Sequence, residues 1–81
     1  MAAKKDIFLK QFGVHLRKLR ENKGITQFEL ASIMNKDRQS IQRVEAGNIN
    51  PTIYYLQELS EGLEMPIKEI VDFKIMEKKK K

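Results

Sequence analysis

Apolar residues recur along most of this chain at spacings of three and four, which is typical of helices that bury one face. The first such segment predicts a helix over residues 7–23, whose apolar stripe consists of Phe8, Phe12, Leu16 and Leu19. Gly24 follows at the position where a helix commonly ends in a left-handed residue. The later segments repeat the helical spacing and none alternates as a strand does, so the sequence predicts an all-α fold.

Two short helices separated by a tight turn are predicted next. Thr26 and Glu29 form a Thr-x-x-Glu capping box, in which the hydroxyl and the carboxylate each bind a free backbone amide at the start of a helix. The inward side chains of this second helix are Leu30, Ala31 and Met34. Asn35 ends it, because asparagine tolerates a positive φ better than most residues do.

The third helix is predicted between Asp37, a good N-cap residue, and Gly47, which closes the helix after residue 46. Its apolar side chains are Ile41, Val44 and Ala46. Because so few side chains serve the core, the polar ones form either an ordinary solvated face or a surface that reads another molecule. The apolar pattern alone leaves both interpretations open.

Two further helices complete the predicted fold. Thr52 caps a fourth helix, whose apolar stripe consists of Ile53, Leu56, Leu59 and Leu63. Pro66 suits the first turn of a short fifth helix, whose inward side chains are Ile67, Ile70 and Val71.

Composition limits the class of protein. The chain has 81 residues, 41% of them hydrophobic, which suffices for one small core. We predict one domain over residues 7–73, with a two-helix unit at about 26–46, between a basic arm over 1–6 and a basic, disordered tail over 74–81. The lack of cysteine excludes disulfides, and the short apolar runs exclude a membrane span, so a soluble cytoplasmic protein is expected.

Charge is distributed unevenly along the chain. Residues 1–23 carry +5, residues 24–48 carry zero, residues 49–73 carry −4 and residues 74–81 carry +4. Such a polarised surface favours contact with a polyanion, and a lysine-rich soluble protein is the alternative. With one histidine, no cysteine and no glycine-rich loop, no catalytic, metal or cofactor site is predicted, and the chain is not expected to be an enzyme.

Several motifs follow one another at a characteristic spacing: LRKLRENKGITQ, ELA, SIQRVEAG, NP and MPIKEIV. Over about residues 12–73 they resemble the DNA-binding domain of the Cro and lambda-repressor family. The resemblance implies a five-helix lambda-repressor-like domain in which helices 2 and 3 form a helix-turn-helix. It also implies a transcriptional regulator, a repressor that binds a palindromic operator in double-stranded DNA as a homodimer.

In this family the third helix enters the major groove with its N-terminus first. The resemblance therefore implies base-reading roles for Arg38, Gln39, Ser40, Gln42 and Arg43. Their chemistry suits the role, because arginine donates a bidentate pair to guanine, and glutamine both donates and accepts at adenine. A merely solvated helix face is the alternative.

Other positions match the family's backbone contacts and its internal ion pair. The candidates for phosphate contacts are Gln27, Lys36, Asn48, Thr52, Tyr54 and Arg17, and for all but Gln27 an ordinary surface side chain is the alternative. Gln27 would contact a phosphate at the start of the second helix, with a plain capping-turn residue as the alternative. Arg20 and Glu45 occupy positions that pair in many relatives, which implies a structural ion pair, and a solvated Glu45 is the alternative.

The family's dimer contact implies an interface formed by Ile49, Pro51, Phe73, Ile75 and Met76. The chain also departs from the family pattern. Glu64 stands where glycine is common, the turn at residues 35–37 lacks the usual glycine, and Phe28 and Ile33 replace polar residues. Those two are either extra core, a patch for a protein partner, or scattered exposed apolar residues that need no function.

Two alternative functions follow from these features. In the first, the protein is the antitoxin of a toxin-antitoxin pair that also regulates its own operon, and Phe28, Ile33 or the tail meets the toxin. In the second, it is a protein-interaction adaptor that does not read DNA sequence. An activator would instead need a surface that touches polymerase.

Overall fold

The computed structural model describes residues 3–74 and folds them into five helices, without a strand in that range. The helices are α1 (Lys4–Asn22), α2 (Gln27–Ile33), α3 (Arg38–Glu45), α4 (Ile53–Leu63) and α5 (Ile67–Ile70). Helix α3 packs against both α1 and α2, while α4 contacts α2 and α5. The predicted all-α, five-helix fold is confirmed. In this described part of the chain, no helix is long and apolar enough to cross a membrane.

Side-chain caps start three of the helices at the predicted residues. Thr26 Oγ1 accepts a hydrogen bond from the Glu29 amide at 3.0 Å, and Glu29 Oε1 accepts one from the Thr26 amide at 2.8 Å. Asp37 and Thr52 cap α3 and α4 by accepting from the amide three residues further on. Each cap satisfies an amide that has no partner within its helix, which stabilises the helix by about 1 kcal/mol.

Left-handed residues follow the first three helices, as the sequence predicts. Gly24 and Gly47 have φ of 75° and 78°, and Asn35 has φ of 59°. Glu64 also adopts a left-handed conformation, with φ of 56° and ψ of 49°. The backbone here keeps the turn that glycine would favour although the residue carries a side chain.

Replacing Glu64 with glycine is therefore expected to stabilise the fold. The left-handed conformation costs a residue that carries a side chain about 1–2 kcal/mol, and glycine avoids this cost. About half of the gain is lost again, because glycine increases the conformational entropy of the unfolded chain. We expect a net gain of about 0.5–1 kcal/mol in the free energy of unfolding, measured by thermal or urea denaturation. Glu61→Gly, inside the same helix, should lose about 1 kcal/mol instead. Equal effects of the two substitutions would contradict this explanation.

One apolar cluster draws side chains from all five helices. Its largest fully buried members are Leu16, Leu30, Ile41, Val44, Leu59, Leu63 and Ile70. The inward positions predicted for α2 and α3 are confirmed, apart from Ala46. This cluster fixes the relative placement of α2 and α3, and so the surface that α3 presents to solvent.

Four predicted core positions are wrong. Phe8 is 43% exposed and packs on the ring of Phe73, while its neighbour Leu9 is buried. Ile53 is 73% exposed because it lies in the first turn of α4, ahead of the residues that meet the core. Ala46 and Val71 are exposed because each is the C-cap residue of its helix, where the helical repeat stops.

Two helix starts also differ from the predictions. Helix α1 begins at Lys4 rather than residue 7, so residues 4–6 of the predicted arm are helical. Asp6 lies in this first turn, where a negative charge interacts favourably with the helix dipole. Pro66 is the N-cap residue of α5 and precedes its first turn.

Candidate nucleic-acid interface

Helix α3 buries one narrow face and exposes the rest of its surface. Ile41 and Val44 are 0% and 1% exposed and anchor the helix in the core. The exposed side chains of the helix are Arg38, Gln39, Gln42 and Arg43. Four of the five residues implied to read bases therefore share one accessible polar surface, which we call the α3 polar face.

Ser40, the fifth of these residues, is directed toward α4. Its Oγ lies 3.0 Å from the hydroxyl oxygen of Tyr55, and both side chains are half-buried. Burial raises the pKa of Tyr55 above its ordinary value, and the hydrogen bond with Ser40 partly opposes that change. The Tyr55 hydroxyl therefore stays neutral at ordinary pH and joins α4 to the start of α3.

Arg20 and Glu45 form a buried bidentate ion pair between α1 and α3. Arg20 Nε donates to Glu45 Oε2 at 2.6 Å, and Nη2 donates to Oε1 at 3.1 Å. The third guanidinium nitrogen donates to the carbonyl oxygen of Ile25 at 2.8 Å. The two side chains are 8% and 3% exposed, and the hydrogen bond with Glu45 raises the pKa of Arg20 despite the opposing effect of burial. The pair holds the C-terminal end of α3 against α1.

Gly13 is an important residue that the sequence analysis did not identify. It is buried in the middle of α1, where its backbone lies directly against the last turn of α3. A Cβ atom at this position would lie 2.2 Å from the carbonyl oxygen of Glu45 and 2.8 Å from that of Val44. The sequence offered one signal for this close approach, namely a glycine between Leu9 and Leu16 in a predicted helix. It lies on the face of α1 that is buried.

Gln27 connects the ion pair to the α3 polar face. Its Nε2 donates to Glu45 Oε1 at 2.9 Å, and its Oε1 accepts from Arg38 Nη1 at 3.5 Å. Arg17, 59% exposed, places its Nε 3.9 Å from the same Glu45 oxygen. An open cleft between the ends of α1, α2 and α3 is lined by Arg17, Gln27 and Arg38.

The remaining phosphate candidates differ in whether their side chains already bind other groups of the protein. Lys36 pairs with Glu58 at 3.0 Å and lies 5.3 Å from the centre of the Tyr55 ring. Asn48, Thr52 and Tyr54 are exposed, with the Thr52 hydroxyl engaged as the cap of α4. Lys36 would have to leave Glu58 in order to meet a phosphate.

Of the residues implied to form a dimer contact, Ile49, Pro51 and Phe73 lie in the described part of the chain. Phe73 packs between the rings of Phe8 and Phe12, at centroid distances of 5.3 and 5.8 Å. Pro51 and Phe73 line one apolar groove, and Ile49 packs partly buried against the core. Ile75 and Met76 lie outside the described residues.

Phe28 and Ile33 do not extend the core. They are 66% and 59% exposed, so the extra-core interpretation is wrong and the patch interpretation remains a prediction. Within residues 3–74, no group of three or more potential metal-binding side chains is present.

The comparisons with known proteins agree with this geometry. The model of the helix-turn-helix family HTH_3 matches residues 16–70. An uncharacterized HTH-type transcriptional regulator, y4dJ of Sinorhizobium fredii, is 34% identical over 62 residues, which cover 76% of this chain and 80% of that protein.

Two solved structures of restriction-modification controller proteins are also similar. C.AhdI from Aeromonas hydrophila is 34% identical with a TM-score of 0.74, and the match covers 76% of this chain and 94% of C.AhdI. Wild-type C.Esp1396I is 33% identical with a TM-score of 0.68, covering 83% of this chain and 96% of the other. Family and fold are those of DNA-binding regulators and not of enzymes. The chain belongs to the helix-turn-helix family, as a DNA-binding transcription regulator of the Cro/C1 type.

Proposed function

We propose that this regulator is a repressor that binds a palindromic operator as a homodimer and reads bases with the α3 polar face. The observation that carries the proposal is the division of α3 between a narrow buried side and an exposed, hydrogen-bonding side. A helix in the major groove needs this division, because it must be held rigidly while its polar side chains meet base edges.

We assign base reading to Arg38, Gln39 and Arg43, with Gln42 beside them. Arginine suits guanine O6 and N7, and glutamine suits adenine N6 and N7. Ser40 has a lesser role in this proposal, because its hydroxyl is engaged with Tyr55.

Phosphate contacts are assigned to exposed polar side chains on both sides of α3. Arg17 flanks it on α1, and Asn48, Thr52 and Tyr54 flank it at the loop before α4 and in the first turn. Such contacts fix the position of the protein on the duplex but carry no direct sequence information. Lys36 contributes to them only after exchanging Glu58 for a phosphate.

Single substitutions test which of these residues contact bases and which contact phosphates. On a duplex selected by the wild-type protein, Arg38→Ala, Gln39→Ala and Arg43→Ala should each relax the preference at one base pair, at a cost of about 1–3 kcal/mol. Arg17→Ala should weaken binding to all sequences alike. Competition binding against duplexes with single base-pair changes measures both effects. Uniform weakening by all four variants would contradict the assignment of base readers.

Two observations support the homodimer, namely the small size of a single domain and an apolar groove on its surface. A single domain of this kind covers limited DNA surface, so two copies on two half-sites about 34 Å apart gain affinity. The apolar groove lined by Pro51, Phe73 and Phe8 offers a surface that a second copy can cover.

The similar controller proteins favour one more specific role. Because both C.AhdI and C.Esp1396I control restriction-modification systems and are about one-third identical to this chain, we propose that this protein also controls restriction-modification genes. Mapping of its binding sites in its own genome should then place them before genes for a DNA methyltransferase or a restriction endonuclease. Sites confined to other promoters would contradict this role and leave the repressor proposal intact.

A further inference from the structure

Phe28 is an exposed aromatic residue beside the arginines proposed to meet DNA. Its side chain is 66% exposed, and it lines the open cleft that Arg17 and Arg38 also line. We propose that Phe28 packs against a deoxyribose of the DNA backbone, next to the phosphate that Arg17 meets, and so adds an apolar, sequence-independent contact to operator binding. This inference rests on the proposed function, which sets DNA against the α3 polar face and the cleft beside it.

Phe28 does not share a surface with Ile33, the other exposed apolar residue of α2. The two are five positions apart in the sequence, which places them about 140° apart around a helix. Ile33 lies toward α4, where its Cγ2 is 3.7 Å from the position that a Cβ atom on Gly62 would occupy. The surroundings of Phe28 are therefore those of the cleft alone.

The cleft has the charge that a contact with the DNA backbone requires. Arg17, Arg38 and Glu21 are exposed along it. Arg20 also lines the cleft, but it is neutralised by its buried pair with Glu45. Two exposed cations against one exposed anion leave the cleft net positive. Arg38 also belongs to the α3 polar face, so the cleft is continuous with the surface proposed to read bases.

The DNA backbone alternates two kinds of surface, namely anionic phosphates and deoxyriboses whose outer atoms are mostly C–H groups. Phosphates of one strand follow one another about every 3.4 Å along the helix axis, so a side chain beside a phosphate contact can reach a sugar. Arginine suits the phosphate. An aromatic ring suits the sugar, because it offers a large apolar area and has few rotatable bonds to immobilise. Phe28 beside Arg17 matches this alternation.

A thymine methyl group is the other apolar part of DNA that a phenylalanine contacts. That methyl group lies in the major groove, and in a helix-turn-helix the first of the two helices crosses the backbone while the second enters the groove. Phe28 belongs to α2, the first of the two, so its position favours the sugar. The two contacts differ in a measurable way, because only a contact with thymine depends on the base sequence.

The experiment measures the affinity of the full chain for a duplex selected by the wild-type protein and for unselected duplexes of the same length. Phe28→Ala should weaken binding to both about five- to tenfold, as expected when about 50 Å² of apolar surface is no longer covered. Phe28→Leu should stay within about twofold of the wild type, because leucine keeps most of that surface. Ile33→Ala is the matched control on the same helix but outside the cleft, and should leave the affinity unchanged.

The dependence of affinity on salt separates an apolar contact from a phosphate contact. The logarithm of the affinity falls by about 0.9 per log unit of salt for each phosphate neutralised, so Arg17→Ala should reduce this slope by about 0.9. Phe28→Ala should leave the slope unchanged, because covering a sugar releases no counterion. A slope that falls for Phe28→Ala as it does for Arg17→Ala would overturn the apolar contact.

Three further results would overturn the role of Phe28. They are an affinity of Phe28→Ala equal to that of the wild type on every duplex, a loss that depends on the identity of one base pair, and an equal loss for Ile33→Ala. Thermal melting of Phe28→Ala that matches the wild type shows that its effect does not arise from unfolding.

The same measurements decide the proposed base reading separately. If Arg38→Ala relaxes one position while Phe28→Ala binds as the wild type does, base reading stands and the sugar contact fails. If Arg38→Ala relaxes no position, the base-reading assignment fails, and the loss for Phe28→Ala on unselected duplexes still decides the sugar contact.

Discussion

Replacement of Glu45 with alanine is expected to lower the free energy of unfolding by about 3–5 kcal/mol. The substitution leaves the Arg20 guanidinium buried between α1 and α3 without its carboxylate, and also removes the acceptor for Gln27. Desolvation of an unpaired charge is the main cost, because the side chain of Arg20 is only 8% exposed. Urea denaturation followed by circular dichroism measures the change.

A second ion pair in the same fold provides the control. Lys36 and Glu58 lie 3.0 Å apart, but each side chain is about one-quarter exposed. Glu58→Ala should therefore cost about 1 kcal/mol or less, since water can solvate the remaining lysine. Replacing both Arg20 and Glu45 with apolar residues should cost less than Glu45→Ala alone, because no charge stays buried. A small effect of Glu45→Ala, similar to that of Glu58→Ala, would contradict the structural role of the buried pair.

Gly13→Ala is expected to lower the free energy of unfolding by about 3 kcal/mol, at the upper end of the usual cost of overpacking. The added methyl group would meet the backbone of Glu45 and Val44, which cannot move aside as a flexible side chain can. Helix α1 would have to shift away from α3, and the Arg20–Glu45 ion pair would open with it. The gain of about 1 kcal/mol in helix propensity offsets only part of this cost.

Gly62→Ala is the matched control for this substitution. Gly62 also lies inside a helix, but a Cβ atom there would meet the Met34 side chain at 3.0 Å and the Leu30 side chain at 3.3 Å. A methionine side chain adapts readily, so we expect a change within about 1 kcal/mol of zero. The measurement is a comparison of the melting temperatures of Gly13→Ala and Gly62→Ala. Equal melting temperatures would show that α1 and α3 do not need the close approach at Gly13.

The features that the sequence predicted correctly depend on local chemistry. The capping box of Thr26 and Glu29 and the left-handed ends at Gly24, Asn35 and Gly47 are determined by a few neighbouring residues. The narrow apolar side of α3 is also local, because its spacing already separates two anchors from a polar remainder. These features suffice to predict a helix-turn-helix and the side of α3 that faces solvent.

The features that the sequence did not predict depend on how helices meet. The spacing in α1 fits a stripe through Phe8 as well as one through Leu9, and only the position of α3 decides which of them is buried. Gly13 becomes a contact because the two helices cross at that residue. The amide of Gln27 reaches Glu45 across 18 residues of sequence. Each of these contacts joins residues that are far apart in the sequence, so no local sequence pattern predicts it.

The same contacts hold α3 in place for the base reading proposed for it. The core holds one side of α3, the ion pair holds its end against α1, and Tyr55 joins α4 to Ser40 near its start. A helix fixed at both ends presents its polar side chains in one geometry, which the base reading proposed for α3 would require.

Sequence-specific reading of double-stranded DNA by the α3 polar face can be measured by selecting bound duplexes from a random library with the purified full chain at moderate salt. We expect an enriched inverted repeat with half-sites about 34 Å apart, and Arg38→Ala should lose the preference at one symmetric pair of positions. Recovery of no enriched motif by the wild-type protein, at salt concentrations where it still binds DNA, would contradict sequence-specific reading.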